Sequence, residues 1–188
     1  MQTKTLVRTV LALAVVVAAP VLSGVTGSAQ TSPGAGPVVV VETSKGTFEF
    51  ETYPDDAPKS VEHLLALVKK NFYSGLRVHR MEPNFVVQFG DKKTRDMTKR
   101  DVWGRGPDDG SGKPVGVAEI SKKRLHVKGA VGYAHSGDPT KADSQIYVTL
   151  ADKPSLNGRY AVIGKVISGM DVVSKLVVTD VIKKMHVK

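Results

Sequence analysis

The strongest periodic signal lies in DDAPKSVEHLLALVKKN (55–71), where Val61, Leu64, Leu65 and Val68 fall at i, i+3, i+4 and i+7. That spacing gathers them on one face of a helix. Asp55 and Asp56 at its start read as capping carboxylates, Pro58 suits the first turn, and Lys69, Lys70 and Asn71 mark the end. Most of the remaining pattern predicts short strands. PVVVVETSKGTFEFETY (37–53) is rich in Val, Thr and Phe around SKG and reads as a hairpin. FYSGLRVHRM (72–81) turns through Ser74-Gly75 into a strand, and NFVVQFG (84–90) is the next. VGVAEI (115–120), KGAVGYAHS (128–136), SQIYVTL (144–150) and RYAVIGKVI (159–167) are strand-like. GMDVVSKL (169–176) is a short helix after Gly169, and VVTDVIKKMHVK (177–188) closes the chain as a strand. Residues 91–116, rich in glycine, charge and proline, form a long excursion. Two helices and about eight strands, with little helix–strand alternation, predict a mainly β fold. The expected form is a closed antiparallel β-barrel of about eight strands.

The N-terminus changes the domain picture. Lys4 and Arg8 precede an apolar stretch, VLALAVVVAAPVL (10–22), and TGSAQ (26–30) ends it with small residues. Gly27 and Ala29 suit the −3 and −1 positions of a cleavage site, so residues 1–29 read as a secretory signal peptide. The apolar run is short for a membrane span, which needs roughly 20 residues. Residues 30–36 are expected to be a flexible tether, and 37–188 a single domain. The expected location is outside the cytoplasm, periplasmic or secreted, with no stable membrane span after processing. The chain has no cysteine, so packing alone must hold the domain together.

Net charge is +9, and removing Lys4 and Arg8 leaves 9 − 2 = +7. The basic residues are scattered among acids, as in KKTRDMTKRD (92–101), with no aromatic-interleaved stripe of the kind that binds single strands. A solvated basic surface facing an anionic envelope is the better reading, and nucleic acid is not expected as a partner. His63 reads as a polar-face helix residue, and His126 and His186 as members of exposed basic segments. None of the histidines has metal-ligand spacing, so neither metal nor cofactor is expected. GPDDGSGK (106–113) lacks the spacing of a phosphate loop or a calcium loop.

Four motifs remain: FYSGLRVHRMEPNFVVQFGD, GAVGYAHSGD, ADSQIYVTL and LNGRYAVIGKVISGMDVV. In this order and spacing they resemble the cyclophilin-type peptidyl-prolyl cis-trans isomerases from about residue 37 to the C-terminus. The resemblance implies an eight-stranded barrel with a helix at each end, and isomerase activity on X–Pro bonds. It also implies the site residues. Arg80, Phe85 and Gln88 match the catalytic positions. Met81, Ala134, His135, Gln145, Tyr147, Leu156 and Tyr160 match the substrate-binding ones. Tyr160 stands where eukaryotic members carry histidine, a substitution common in bacterial members. Tyr147 replaces a pocket phenylalanine, Ser155 a rim tryptophan, Phe89 a glycine, and Gly132-Tyr133 a serine-methionine-like pair. Trp103 is not the equivalent of that tryptophan. The implied partners are proline-containing unfolded or exported polypeptides. Nothing in the sequence suggests an obligate interface, so a monomer is expected. A proline-peptide binding module or holdase with little turnover is the alternative.

Overall fold

The computed structural model describes residues 32–105 and 109–188. The signal peptide expected at 1–29 therefore lies outside the described residues. Of the tether expected at 30–36, the stretch from Ser32 lies against the domain. Ser32 N–H donates to Glu51 (2.7 Å), and Gly36 N–H to the Thr52 carbonyl (2.8 Å).

The hairpin forms as read. Strands β1 (Val38–Thr43) and β2 (Gly46–Thr52) pair antiparallel across Ser44-Lys45. Alternation sends Val39, Val41, Phe48 and Phe50 inward, each fully buried. Helix α1 (Pro58–Lys69) buries Val61, Leu64, Leu67 and Val68, while Leu65 is only half-buried. Its N-terminus differs from expectation. Ala57 is the cap residue, with no side-chain cap. Asp56 instead pairs with Arg124 (2.6 Å), whose guanidinium also lies 3.7 Å over the Tyr53 ring. The free helical N–H groups are satisfied from far along the chain, by the Glu119 carboxylate accepting from Lys59 N (3.0 Å) and Ser60 N (2.7 Å). Residues 115–120, expected as a strand, form no ladder because this stretch serves as a cap and a strap.

The remaining strands are β3 (Arg80–Glu82), β4 (Val86–Phe89), β5 (Ala130–Tyr133), β6 (Ile146–Thr149), β7 (Val162–Ser168) and β8 (Ile182–Val187). Helix α2 (Met170–Lys175) follows Gly169, whose φ of 76° is a left-handed conformation that glycine adopts without cost. All eight strands form one antiparallel sheet in the order β3-β4-β6-β5-β7-β2-β1-β8. The expected closed barrel does not form. No ladder joins β3 to β8, and the sheet is an open, curled half-barrel. Among the described residues its edges meet where the chain ahead of β3 passes the start of β8, around an isolated Arg77–Val181 bridge. Backbone bonds from Gly75 to Ile182 (2.8 Å) and Val78 to Asp180 (2.9 Å) flank that bridge. The edge strand beside this seam, β3, is only three residues long. One apolar cluster, including Phe48, Phe50, Leu64, Val131, Ile163 and Met185, unites the hairpin, α1 and the central strands.

Candidate active site

Strands β3, β4, β6 and β5 and the segments beside them bring all but one of the predicted residues to one cavity of about 520 Å³. Register does the first part of the work. Arg80 on β3 stands opposite Gln88 on β4, and Gln88 stands opposite Tyr147 on β6. The β3–β4 turn places Asn84 at φ 58°, a conformation that asparagine tolerates, and so aims Phe85 at the cavity. Ala134, His135, Gln145, Leu156 and Tyr160 complete the predicted wall. Met81 does not join them. Strand alternation turns it away from its neighbour Arg80, and it packs against the main core.

Arg80 lies at the cavity mouth with its side chain 44% exposed. Its Nε (2.8 Å) and Nη2 (2.7 Å) both donate to Glu82 Oε1, and Nη1 donates to Gln88 Oε1 (3.4 Å). Its Cζ sits 5.3 Å from the Phe85 ring centre, and Lys153 Nζ approaches the same ring at 5.6 Å. Glu82 is signalled only by spacing, since residue i+2 on a strand shares a face, and Lys153, ahead of the Pro154–Leu156 turn, by nothing in its own segment.

Tyr147 is buried, and its hydroxyl does not point into a free pocket. It lies 2.8 Å from His126 Nε2. Asn157 Oδ1 accepts from both the His126 backbone N–H (2.9 Å) and Nδ1 (3.0 Å), so Nδ1 carries the proton and Nε2 accepts from tyrosine. Burial lowers the His126 pKa, which keeps this neutral form. His126, read as exposed, is thus buried beneath the site. Two departures from the family pattern also explain each other. A Cβ at Gly132 would meet Tyr147 Cζ and Oη at 2.5 Å, so the larger ring requires a glycine across the ladder.

His135 donates from Nε2 to the Arg159 carbonyl (3.0 Å), and its ring lies 4.4 Å from that of Tyr160. Its backbone takes no part in backbone hydrogen bonds among the described residues. His79, one position before Arg80, is held neutral: burial pushes its pKa down to about 4. His63, read as a polar-face residue, is half-buried and meets Asp143 at 3.2 Å.

The excursion forms the far wall. Two 3-10 turns, Lys92–Arg95 and Met97–Val102, are capped by Asp91 and Asp96. Buried Asp91 also accepts from Gly104 N–H (2.5 Å). Trp103 is buried within this loop, its Nε1 donating to the Asp96 carbonyl (3.2 Å). Gly104, Asp109 and Gly110 then face the cavity. Among the described residues no group of three or more His, Asp or Glu side chains could hold a metal ion.

The family model for "Cyclophilin type peptidyl-prolyl cis-trans isomerase/CLD" matches residues 38–187. The chain belongs to the cyclophilin-type peptidyl-prolyl cis-trans isomerases. Among its relatives, a probable peptidyl-prolyl cis-trans isomerase of Brucella abortus (strain 2308) is 40% identical over 172 residues, covering 90% of this chain and 85% of that protein. A peptidyl-prolyl cis-trans isomerase of Acinetobacter baylyi is 35% identical over 147 residues, covering 76% and 72%. The crystal structure of a Cryptosporidium parvum cyclophilin-type isomerase superposes with a TM-score of 0.70 at 23% identity, covering 81% of this chain and 97% of that one. The open, curled sheet with two helices is thus the cyclophilin fold, and in this chain the cavity lies beside β3, β4, β6 and β5.

Proposed function

We propose that this cyclophilin accelerates rotation about X–Pro bonds in exported polypeptides, with Arg80 stabilising the twisted amide. A planar amide resists rotation by about 18–20 kcal/mol because twisting it destroys resonance. In the twisted state the prolyl nitrogen becomes pyramidal and regains a lone pair. A guanidinium aimed at that nitrogen favours the twisted state over the planar one, and that difference is what lowers the barrier. A 10⁵-fold acceleration asks for about 7 kcal/mol. No proton transfer or covalent intermediate is required.

The observation that carries this reading is a permanently charged, half-exposed guanidinium at the mouth of a cavity whose floor is Phe85, Tyr147, Leu156 and Tyr160. The prolyl ring fits that floor, while the unused backbone of His135 suits pairing with an extended peptide. Gln88 holds one arm of the fork and Glu82 the other, so substrate would enter beside a preset charge. Gln145 bonds Gln88 and supports it. The pattern of residues 1–29 supports export from a bacterial cell, to the periplasm or beyond, where the enzyme acts as a monomer on slow prolyl steps.

The test is the cis-to-trans conversion of a proline tetrapeptide. Arg80→Ala is expected to lose roughly 10²-fold or more in kcat/KM, the scale of removing one preorganised donor. Equal, slow rates for wild type and variant would favour the proline-peptide binding module or holdase instead.

A further inference from the structure

Three hydrogen bonds run from Arg80 into the excursion. Arg80 Nη1 donates to Gln88 Oε1 (3.4 Å), Gln88 Nε2 to Gln145 Oε1 (2.8 Å), and Gln145 Nε2 to Asp109 Oδ2 (2.7 Å). Each glutamine amide could in isolation face either way, since its two ends differ only in being donor or acceptor. The ends of this chain remove that freedom. A carboxylate only accepts, so Gln145 must turn its NH₂ to Asp109. Its carbonyl then faces Gln88, whose NH₂ must meet it. The Gln88 carbonyl is therefore left facing Arg80, and a guanidinium only donates. One negative and one positive terminus fix two amides in register, and aligned amide dipoles strengthen one another.

We propose that Asp109 is a positioning residue of this isomerase, which orients the Arg80 guanidinium through Gln145 and Gln88. The inference rests on the reading of Arg80 as the catalytic group. It also assigns a task to the excursion: to carry one acceptor to the end of the amide chain. The backbone places that acceptor, with the Asp109 carbonyl accepting from Lys92 N–H (3.2 Å) beside the buried Asp91 anchor. Gln88 is buried, so water does not readily replace a missing partner there.

The sign of the terminus matters more than its bulk. Asp109→Asn still offers an oxygen to Gln145 and keeps the direction of the chain. Asp109→Ala removes the acceptor and frees Gln145 to flip. Asp109→Lys supplies a donor, reverses both amides and turns the Gln88 NH₂ toward the guanidinium. Losses in kcat should therefore rank Asn, then Ala, then Lys, with KM for the tetrapeptide nearly constant. For Ala the loss is roughly three- to tenfold, the scale of one hydrogen bond. The side-chain ¹⁵N signals of Arg80 should shift in the same order. Gln145→Met, which cuts the chain in its middle, should match Asp109→Ala in kcat and in the Arg80 signal, and the double variant should be no slower in kcat than either.

Additive losses, an unchanged Arg80 signal in Asp109→Lys, or a change confined to KM would overturn the proposal. Arg80→Ala in the same assay separates the two layers. If it retains full rate, the arginine reading fails. If it is slow while Asp109→Lys keeps wild-type kcat, only the positioning role fails. Thermal unfolding of each variant identifies any that has simply lost its fold, and the Gln145→Met arm then decides.

Discussion

At the scale of single residues, the hydroxyl of Tyr147 sets a constraint. It is buried, and its only acceptor among the described residues is His126, itself fixed by Asn157. His126→Leu leaves a buried hydroxyl unpaired, which costs about 1–3 kcal/mol. Tyr147→Phe removes the hydroxyl together with the need for an acceptor. Urea unfolding should therefore show His126→Leu strongly destabilised, and Tyr147→Phe added to it should recover part of the loss. A double variant as unstable as the sum of the singles would mean that His126 acts by packing alone. Much of the site was readable at this scale. Motif positions placed Arg80, Phe85, Gln88 and Tyr147 in one cavity. His126 was not readable, because LHVK gives a basic segment no mark of burial. Met81 was misplaced because a matched motif does not say which face of β3 a residue occupies.

Elements were legible where their own sequence decides them. The Val and Phe runs of 37–53 and the i, i+3, i+4, i+7 stripe of 55–71 could be read without knowing their distant partners. Their ends were not legible, because the group that completes α1 lies about 60 residues further on. Glu119 accepts from Lys59 N and Ser60 N, and its negative charge sits at the positive end of the helix. Nothing in VGVAEI distinguishes a cap from a strand. Glu119→Ala should lower stability by about 1 kcal/mol, the usual worth of a cap, and Glu119→Gln by less, since an amide oxygen still accepts. Thermal unfolding reads both. If neither variant shifts the midpoint, Asp55 or Asp56 has taken over the task that their position suggests.

Across the whole molecule, the curled sheet joins its edges at one narrow seam, and the proposed catalytic arginine stands beside it. β3 pairs only with β4, so Arg80 rides on an edge strand whose outer support is the Gly75–Val78 stretch against Thr179–Ile182. Sequence pattern gives strands but not closure, because closure depends on whether two distant three- to six-residue strands come into register. Here a residue at the seam resists. Thr179 has φ 85°, in the region where L-residues are disfavoured and β-branched ones most so. It is held there by its N–H bond to the Val78 carbonyl (2.9 Å). The left-handed conformation costs an L-residue roughly 1–2 kcal/mol, whereas glycine costs about 0.5–1 kcal/mol in extra unfolded-chain freedom. At mid-range the relief exceeds the entropy loss, so Thr179→Gly should stabilise the domain by about 0.5 kcal/mol. In a chain of this size that is roughly 1–2 °C in Tm. Amide exchange at Val78 and Ile182, which open with the seam, should slow in parallel, while that of the interior β1–β2 ladder follows global stability alone. A lower Tm with faster exchange at Val78 would show instead that the threonine side chain, not the backbone, holds the two edges together.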